Sequence, residues 1–182
     1  FLVDHVYPLG GRRGSTISVQ LFSQGEKPKQ VQLATPKTGS VNQLPAVKVD
    51  GKASNRFPFD LSDLPEYQES LTGQGAVNGG ECEIPAVING RISEMGQVDT
   101  WQFAGQKDTT LLFDLLAERL GSPLDSVMRL LDAEGKQLAQ SDDLSKSESD
   151  SRFEYKLPAD GRYTIEVKER FARRGGLQYA YR

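Results

Sequence analysis

Arg162-Tyr163-Thr164-Ile165-Glu166-Val167 decides the fold class, because polar and apolar side chains alternate along it without a break. Successive side chains of an extended strand point to opposite faces, so Tyr163, Ile165 and Val167 share one face and predict a half-buried strand. Pro158-Ala159-Asp160-Gly161, just before it, is a turn signal. Upstream, Val98, Thr100 and Gln102 alternate with Asp99, Trp101 and Phe103. Between the two come Val127 to Leu131, a turn at Asp132 to Gly135, Gln137 to Ala139, an acidic serine-rich loop at 141–151, and Arg152 to Leu157. The run Leu111 to Leu120 has the Leu, Ala, Glu and Arg content of a helix. It lies between strands and ends in Gly121-Ser122-Pro123, which predicts a strand leading into a loop. Ala86 to Gly90 opens this half, and Leu177 to Arg182, after Gly175-Gly176, is read as its closing strand. About seven or eight strands at this spacing predict a jelly-roll-like antiparallel β-sandwich.

The first half carries shorter signals. Thr16 to Phe22 alternates, Val31 to Leu33 and Ala46 to Val49 are shorter strands, and Asp50-Gly51 is a tight-turn pair. Phe57 to Ser62 reads as a last strand, with Pro58 confining it to an edge or a bulge. These features predict a small β-sandwich over residues 1–69. Residues 70–80 are small and nearly uncharged, which marks a linker to residues 81–182. Gly73-Gln74-Gly75 within it is not a dinucleotide-binding turn, since no strand precedes it and no helical pattern follows.

The totals restrict function. A net charge of −3 sets up no field to draw in nucleic acid, and no apolar run is long enough to span a bilayer. The chain opens and closes within apolar patterning, which reads as an excerpt of a longer protein. One histidine, His5, and one cysteine, Cys82, are too few for a Cys/His zinc site. His5 reads as a strand-end residue and Cys82 as a small, partly buried one, so no nucleophile-and-base arrangement is legible. Asp125, Asp160 and Glu118 could pair as acid and base, but carboxylates are abundant and nothing marks these as buried.

The order of motifs across the second half is distinctive. Pro85 to Ile92, Asp99 to Phe103, Arg119 to Ser126, Leu130 to Gly135, Ser141 to Asp143, Asp150-Ser151, Leu157 to Tyr163 and Gly175 to Arg182 follow one another. This series resembles the bacterial pre-peptidase C-terminal (PPC) domain, in the version found in large exported proteins of planctomycete-like bacteria. Tyr7 to Gly14 and the stretch Pro58 to Glu66 resemble the immunoglobulin-like domain that often precedes it. The resemblance implies an exported, non-catalytic β-sandwich attached to a peptidase or another large extracellular protein.

Calcium is the cofactor that the resemblance raises, although none is required. Some relatives bind it near the linker, where Glu81 and Glu83 stand here, and Asp99 matches the aspartate opening the next strand motif. The family pattern has Glu-Pro-Asn in the linker and an acidic residue two before that aspartate; this chain has Glu81-Cys82-Glu83-Ile84-Pro85 and Gln97. A weaker calcium candidate is the loop group Asp142, Asp143 and Asp150, with Glu148 beside it, since Ca²⁺ takes oxygen ligands from loops. Solvated Asx-turns account for the same residues. The basic residues Lys168, Arg170, Arg173 and Arg174, with Arg162 and Arg182, are interrupted by Glu166 and Glu169 and read as a solvated hairpin. Trp101, Phe103, Tyr163 and Tyr179 read as packing residues.

The expected function is therefore a non-catalytic extracellular, cell-surface or periplasmic accessory module. Its partners would be other domains of the same long polypeptide. The alternative is a module, calcium-dependent or not, that binds fibrous protein or polysaccharide.

Overall fold

The computed structural model describes residues 2–38, 43–44, 46–69, 79–143 and 148–182, and every extended element among them is a β-strand. Most of the expected linker, residues 70–78, and part of the serine-rich loop, 144–147, lie outside the described residues.

The first half holds β1 (His5–Tyr7), β2 (Gly10–Arg12), β3 (Thr16–Phe22), β4 (Lys29–Ala34), β5 (Gln43–Leu44), β6 (Lys48–Val49), β7 (Lys52–Ala53), β8 (Phe57–Pro58) and β9 (Asp60–Ser62). β1, β3 and β4 form an antiparallel sheet, and the alternation of β3 sends Val19 and Leu21 fully inside. β6 and β7 are joined by Asp50-Gly51, both at positive φ (49° and 79°), the geometry that a two-residue hairpin with right-handed strand twist demands. Phe57 to Ser62, expected as one strand, is split. β8 pairs with β5, β9 pairs in parallel with β2, and Phe59 between them is completely buried. Pro58 has no N–H to donate, so a continuous ladder cannot pass through it.

Two short strands before residue 82 pair with strands of the second half. β10 (Glu66–Gln68) pairs in parallel with β12 (Val87–Arg91), while β11 (Gly79–Glu81) pairs in parallel with β13 (Val98–Gly105). β14 (Thr110–Asp114) runs into a 3-10 turn at Glu118–Leu120. β15 (Ser126–Leu131), β16 (Gln137–Ser141), β17 (Arg152–Lys156), β18 (Gly161–Glu169) and β19 (Ala180–Tyr181) follow. One layer is the five-stranded sheet β11-β13-β18-β15-β16. The other is formed by β10-β12-β19 and by the β14-β17 pair. The chain is thus all-β, as expected, but its sheets are mixed where a purely antiparallel sandwich was predicted.

Register explains the core. Trp101 faces Ile165 and Phe103 faces Tyr163 across β13 and β18, while Leu130 faces Ile165 and Met128 faces Val167 across β15. The Phe113 ring tilts against Phe153 at 5.0 Å and against Phe103 at 6.1 Å, so it ties the two layers together. The expected closing strand is shorter than predicted. A turn in which the Tyr179 amide donates to the Gly176 carbonyl (3.0 Å) leaves only Ala180 and Tyr181 in the ladder.

Two hydrophobic clusters result, one around Leu21 and Phe59, the other around Leu130 and Leu157. The C-terminal strand joins them. Ala180 packs in the first cluster and its neighbour Tyr181 in the second.

Candidate functional site: a buried charged seam between the halves

Arg182 lies inside the protein. Its side chain is 1% exposed, which corrects its expected place in a solvated basic hairpin. An ionised group is removed from water only at a cost of several kcal/mol, so it must be paired and hydrogen-bonded. Here Nε donates to Asp60 Oδ2 at 2.7 Å, and the two terminal nitrogens grip Glu66, Nη1 to Oε2 at 2.7 Å and Nη2 to Oε1 at 2.8 Å. Asn89 closes the group, donating to Glu66 Oε2 (2.8 Å) and accepting from Arg182 Nη1 (3.2 Å). Gly10 approaches this guanidinium so closely that a Cβ there would stand 2.6 Å from Nε.

A second group surrounds Asp99, whose place on the inward face of β13 leaves it with no exposure. Gln97 Nε2 donates to its Oδ1 at 2.6 Å and Tyr181 Oη to its Oδ2 at 2.7 Å. Tyr181 in turn accepts from Trp101 Nε1 at 2.9 Å, and burial pushes its hydroxyl well up. Glu69 and Arg91, both buried, lie alongside, with Arg91 Nε 3.9 Å from Glu69 Oε1. Burial, then the neighbouring Asp99 charge, pushes the Glu69 carboxyl up to about 7. Glu69 Oε2 makes no hydrogen bond of ordinary geometry. Arg91 reaches into the first half, its guanidinium 4.1 Å from the Tyr7 ring centroid and its Nη1 3.4 Å from Gln20 Oε1. The Tyr7 hydroxyl returns the contact, donating to the Asn89 carbonyl at 3.2 Å.

The residues expected to hold calcium are dispersed. Glu81 lies opposite Gln102, three positions along β13 from Asp99, and pairs at the surface with Arg162. Glu83 is exposed, its amide donating to the Tyr67 hydroxyl at 3.1 Å. Both oxygens of Asp99 are already engaged by donors. Where the family pattern has an acidic residue, Gln97 supplies an amide N–H, a group that complements a carboxylate and opposes a cation.

In the loop group, Asp150 is fully buried. Its Oδ1 accepts the amides of Ala117 (3.0 Å) and Glu118 (2.7 Å), and its Oδ2 accepts Arg119 Nε (2.7 Å), so it organises the 3-10 turn. Asp143 and Asp142 instead face Arg170, at 2.9 and 3.8 Å. Glu118 binds Ser149, while Asp160 accepts the Lys107 amide. Among the described residues no three His, Cys, Asp or Glu side chains form a metal-holding group.

Sequence reasoning missed Glu66, Glu69, Asn89, Arg91 and the true role of Arg182. The available signal was position: Asn89 and Arg91 sit within the strand-forming stretch from Ala86 to Ile92, and Arg182 extends the closing one.

The segment from Gln97 to the end of β18 settles the relationship to other proteins. Residues 97–169 match the bacterial pre-peptidase C-terminal domain family. This match falls inside the second half, where the order of motifs shows the same resemblance. The chain is also 35% identical, over 111 residues, to a probable subtilase-type serine protease of Deinococcus radiodurans. That stretch is 59% of this chain and 15% of the protease, so the chain spans a small part of the curated relative it matches. The PPC domain of a Bacillus anthracis collagenase, a solved structure, aligns with 14% identity and a TM-score of 0.43 over 60% of this chain and 95% of its own.

Proposed function

We propose that this chain is a non-catalytic, exported accessory module of a larger bacterial protein, its PPC domain of the planctomycete-type version and preceded by an immunoglobulin-like domain. The observation that carries this reading is the PPC match over residues 97–169, with the related stretch forming only a small part of a probable protease. Local chemistry supports it. The single histidine, His5, is stacked on Phe22 at 4.3 Å with its imidazole pKa lowered by burial, and the single cysteine is buried with its thiol pushed up. Neither is set to activate a nucleophile. Among the described residues no helix is long and apolar enough to cross a membrane.

The role needs no cofactor. The purified chain should unfold as one cooperative unit and turn over no peptide, ester or glycoside substrate. Saturable turnover that survives repurification and disappears with unfolding would overturn the reading. Calcium at concentrations on the order of millimolar, which loads even weak extracellular modules, should leave the unfolding midpoint unchanged. A chelator-reversible rise would instead return Glu81, Glu83 and Asp99, or Asp142, Asp143 and Asp150, as ligands.

A further inference from the structure

β4 is the edge of its sheet: β3 pairs with one side of it, and among the described residues no strand lies on the other. The Thr35 amide donates to the Ser15 carbonyl at 2.9 Å, and the register runs on without a shift through Ile17 with Leu33, Val19 with Val31 and Leu21 with Lys29. Bonded pairs of an antiparallel ladder recur every second residue, so these odd-numbered residues of β4 serve β3. Gln30, Gln32 and Ala34 therefore turn their N–H and C=O groups away from the sheet. Such a row of unpaired backbone groups is a template for another strand.

Edges are ordinarily blunted by a charge, a bulge or a proline within the strand. β4 has no bulge, and its one charged residue, Lys29, carries its counter-charge, with Nζ 2.8 Å from Asp50 Oδ2. Prolines stand outside it instead, Pro28 before the strand and Pro36 after it. Neither has an N–H to offer, so a ladder built on this edge is confined between them. The two prolines are equidistant from Gln32. A strand with this spacing is its own complement. Laid antiparallel about a two-fold axis through Gln32, Gln32 meets Gln32, Gln30 meets Ala34, and Pro28 meets Pro36. Sliding the pair by two residues either way sets Ala34 against Pro28 or Gln30 against Pro36.

We propose that β4 is a docking edge for β4 of a second copy of this chain, joining two three-stranded sheets into one about a two-fold axis at Gln32. The charges are compatible with this. Lys29, neutralised by Asp50, meets the uncharged Thr35, so no like charges oppose each other between the prolines. Lys27 and Lys37 come opposite only beyond the prolines, past the end of the ladder. The side chains match as well. Val31 and Leu33 pack toward the first hydrophobic cluster, and across the axis Val31 meets Leu33, which covers the part of Val31 that a single chain leaves half-exposed. An unrelated strand would gain the same backbone bonds without the matched prolines and apolar pairs. A second copy satisfies the outward groups of both edges at once and closes the contact.

Sedimentation equilibrium tests this, at concentrations up to about 1 mM because a single added strand pair belongs to the small, weak class of interface. The mass should rise with concentration toward that of two copies. Gln32→Lys sets like charges opposite each other on the axis at an exposed position, so it should leave the unfolding midpoint unchanged and weaken association at least about fivefold. Under mild oxidation, Gln32→Cys should form a disulfide-linked dimer, since bonded partners have Cα atoms about 5.5 Å apart. Gln30→Cys should not, because it meets Ala34 and not its own counterpart. The native Cys82 is buried and stays out of both reactions. A single-chain mass at every concentration overturns the proposal. So does a dimer that Gln32→Lys leaves intact, or equal cross-linking of the two cysteine variants.

Discussion

Arg182 grips Glu66 with both terminal guanidinium nitrogens, at 2.7 and 2.8 Å, although the two residues lie 116 positions apart. This bidentate pair sits where three segments converge: β9 through Asp60, β10 through Glu66 and β12 through Asn89. Planar two-point pairing supplies direction as well as energy, so it fixes how these strands meet.

Arg182→Met should destabilise the chain by about 3–5 kcal/mol, because it leaves Glu66 and Asp60 without their cation. Urea unfolding of Arg182→Met, Glu66→Gln and the double variant checks this. The double variant should lose less than the sum of the singles, since the second substitution removes a charge that the first has stranded.

Stability should fall as pH rises from about 5 to about 8. Glu69 has a folded pKa of about 7 against an ordinary value of 4.5, so its contribution is complete below the ordinary value and is lost as pH climbs through 7. The Glu69 shift corresponds to a loss on the order of 3 kcal/mol, and Asp99, its carboxyl raised by burial, acts in the same direction. Glu69→Gln should flatten the slope and match or exceed the parent at pH 8. Melting temperatures across this range check it, and an unchanged slope in the variant would count against Glu69 as its source.

Asp150→Ala should cost about 2–3 kcal/mol, because the amides of Ala117 and Glu118 and the Arg119 guanidinium lose a charged acceptor. Asp142→Ala and Asp143→Ala, whose contacts to Arg170 are exposed, should each stay within about 0.5 kcal/mol. Chemical denaturation of the three variants separates an organising carboxylate from solvated ones.

Tyr181→Phe strands Trp101 Nε1 and one oxygen of Asp99, and should cost about 1–3 kcal/mol. Trp101 is the sole tryptophan, so its emission should shift in the folded variant. An unmoved spectrum would show that the hydroxyl does not bridge these groups.

The alternating strands were legible because burial imposes a period of two, and Tyr163, Ile165 and Val167 are all buried as that period requires. The same period places Asp99 on the inward face beside Trp101 and Phe103. Asp99, a calcium candidate by its motif, is engaged by Gln97 and by Tyr181, the latter 82 positions away. No local pattern encodes a partner at that distance. Arg182 was misplaced for the same reason: a basic residue near other basic residues looks solvated until Glu66 and Asp60 are brought to it. The parallel pairing of β10 with β12 was equally hidden, since Glu66 to Gln68 is too short to show a period.

The anchoring of Arg182 also determines how the molecule would bear load. Tension applied at that residue pulls along β19, and its first resistance comes from Leu116, Glu66, Asn89 and Asp60 together. Those contacts all converge on one residue, so the pull divides among them. The seam would carry the pull into the first half directly through side chains, and the two halves would behave under traction as one continuous link.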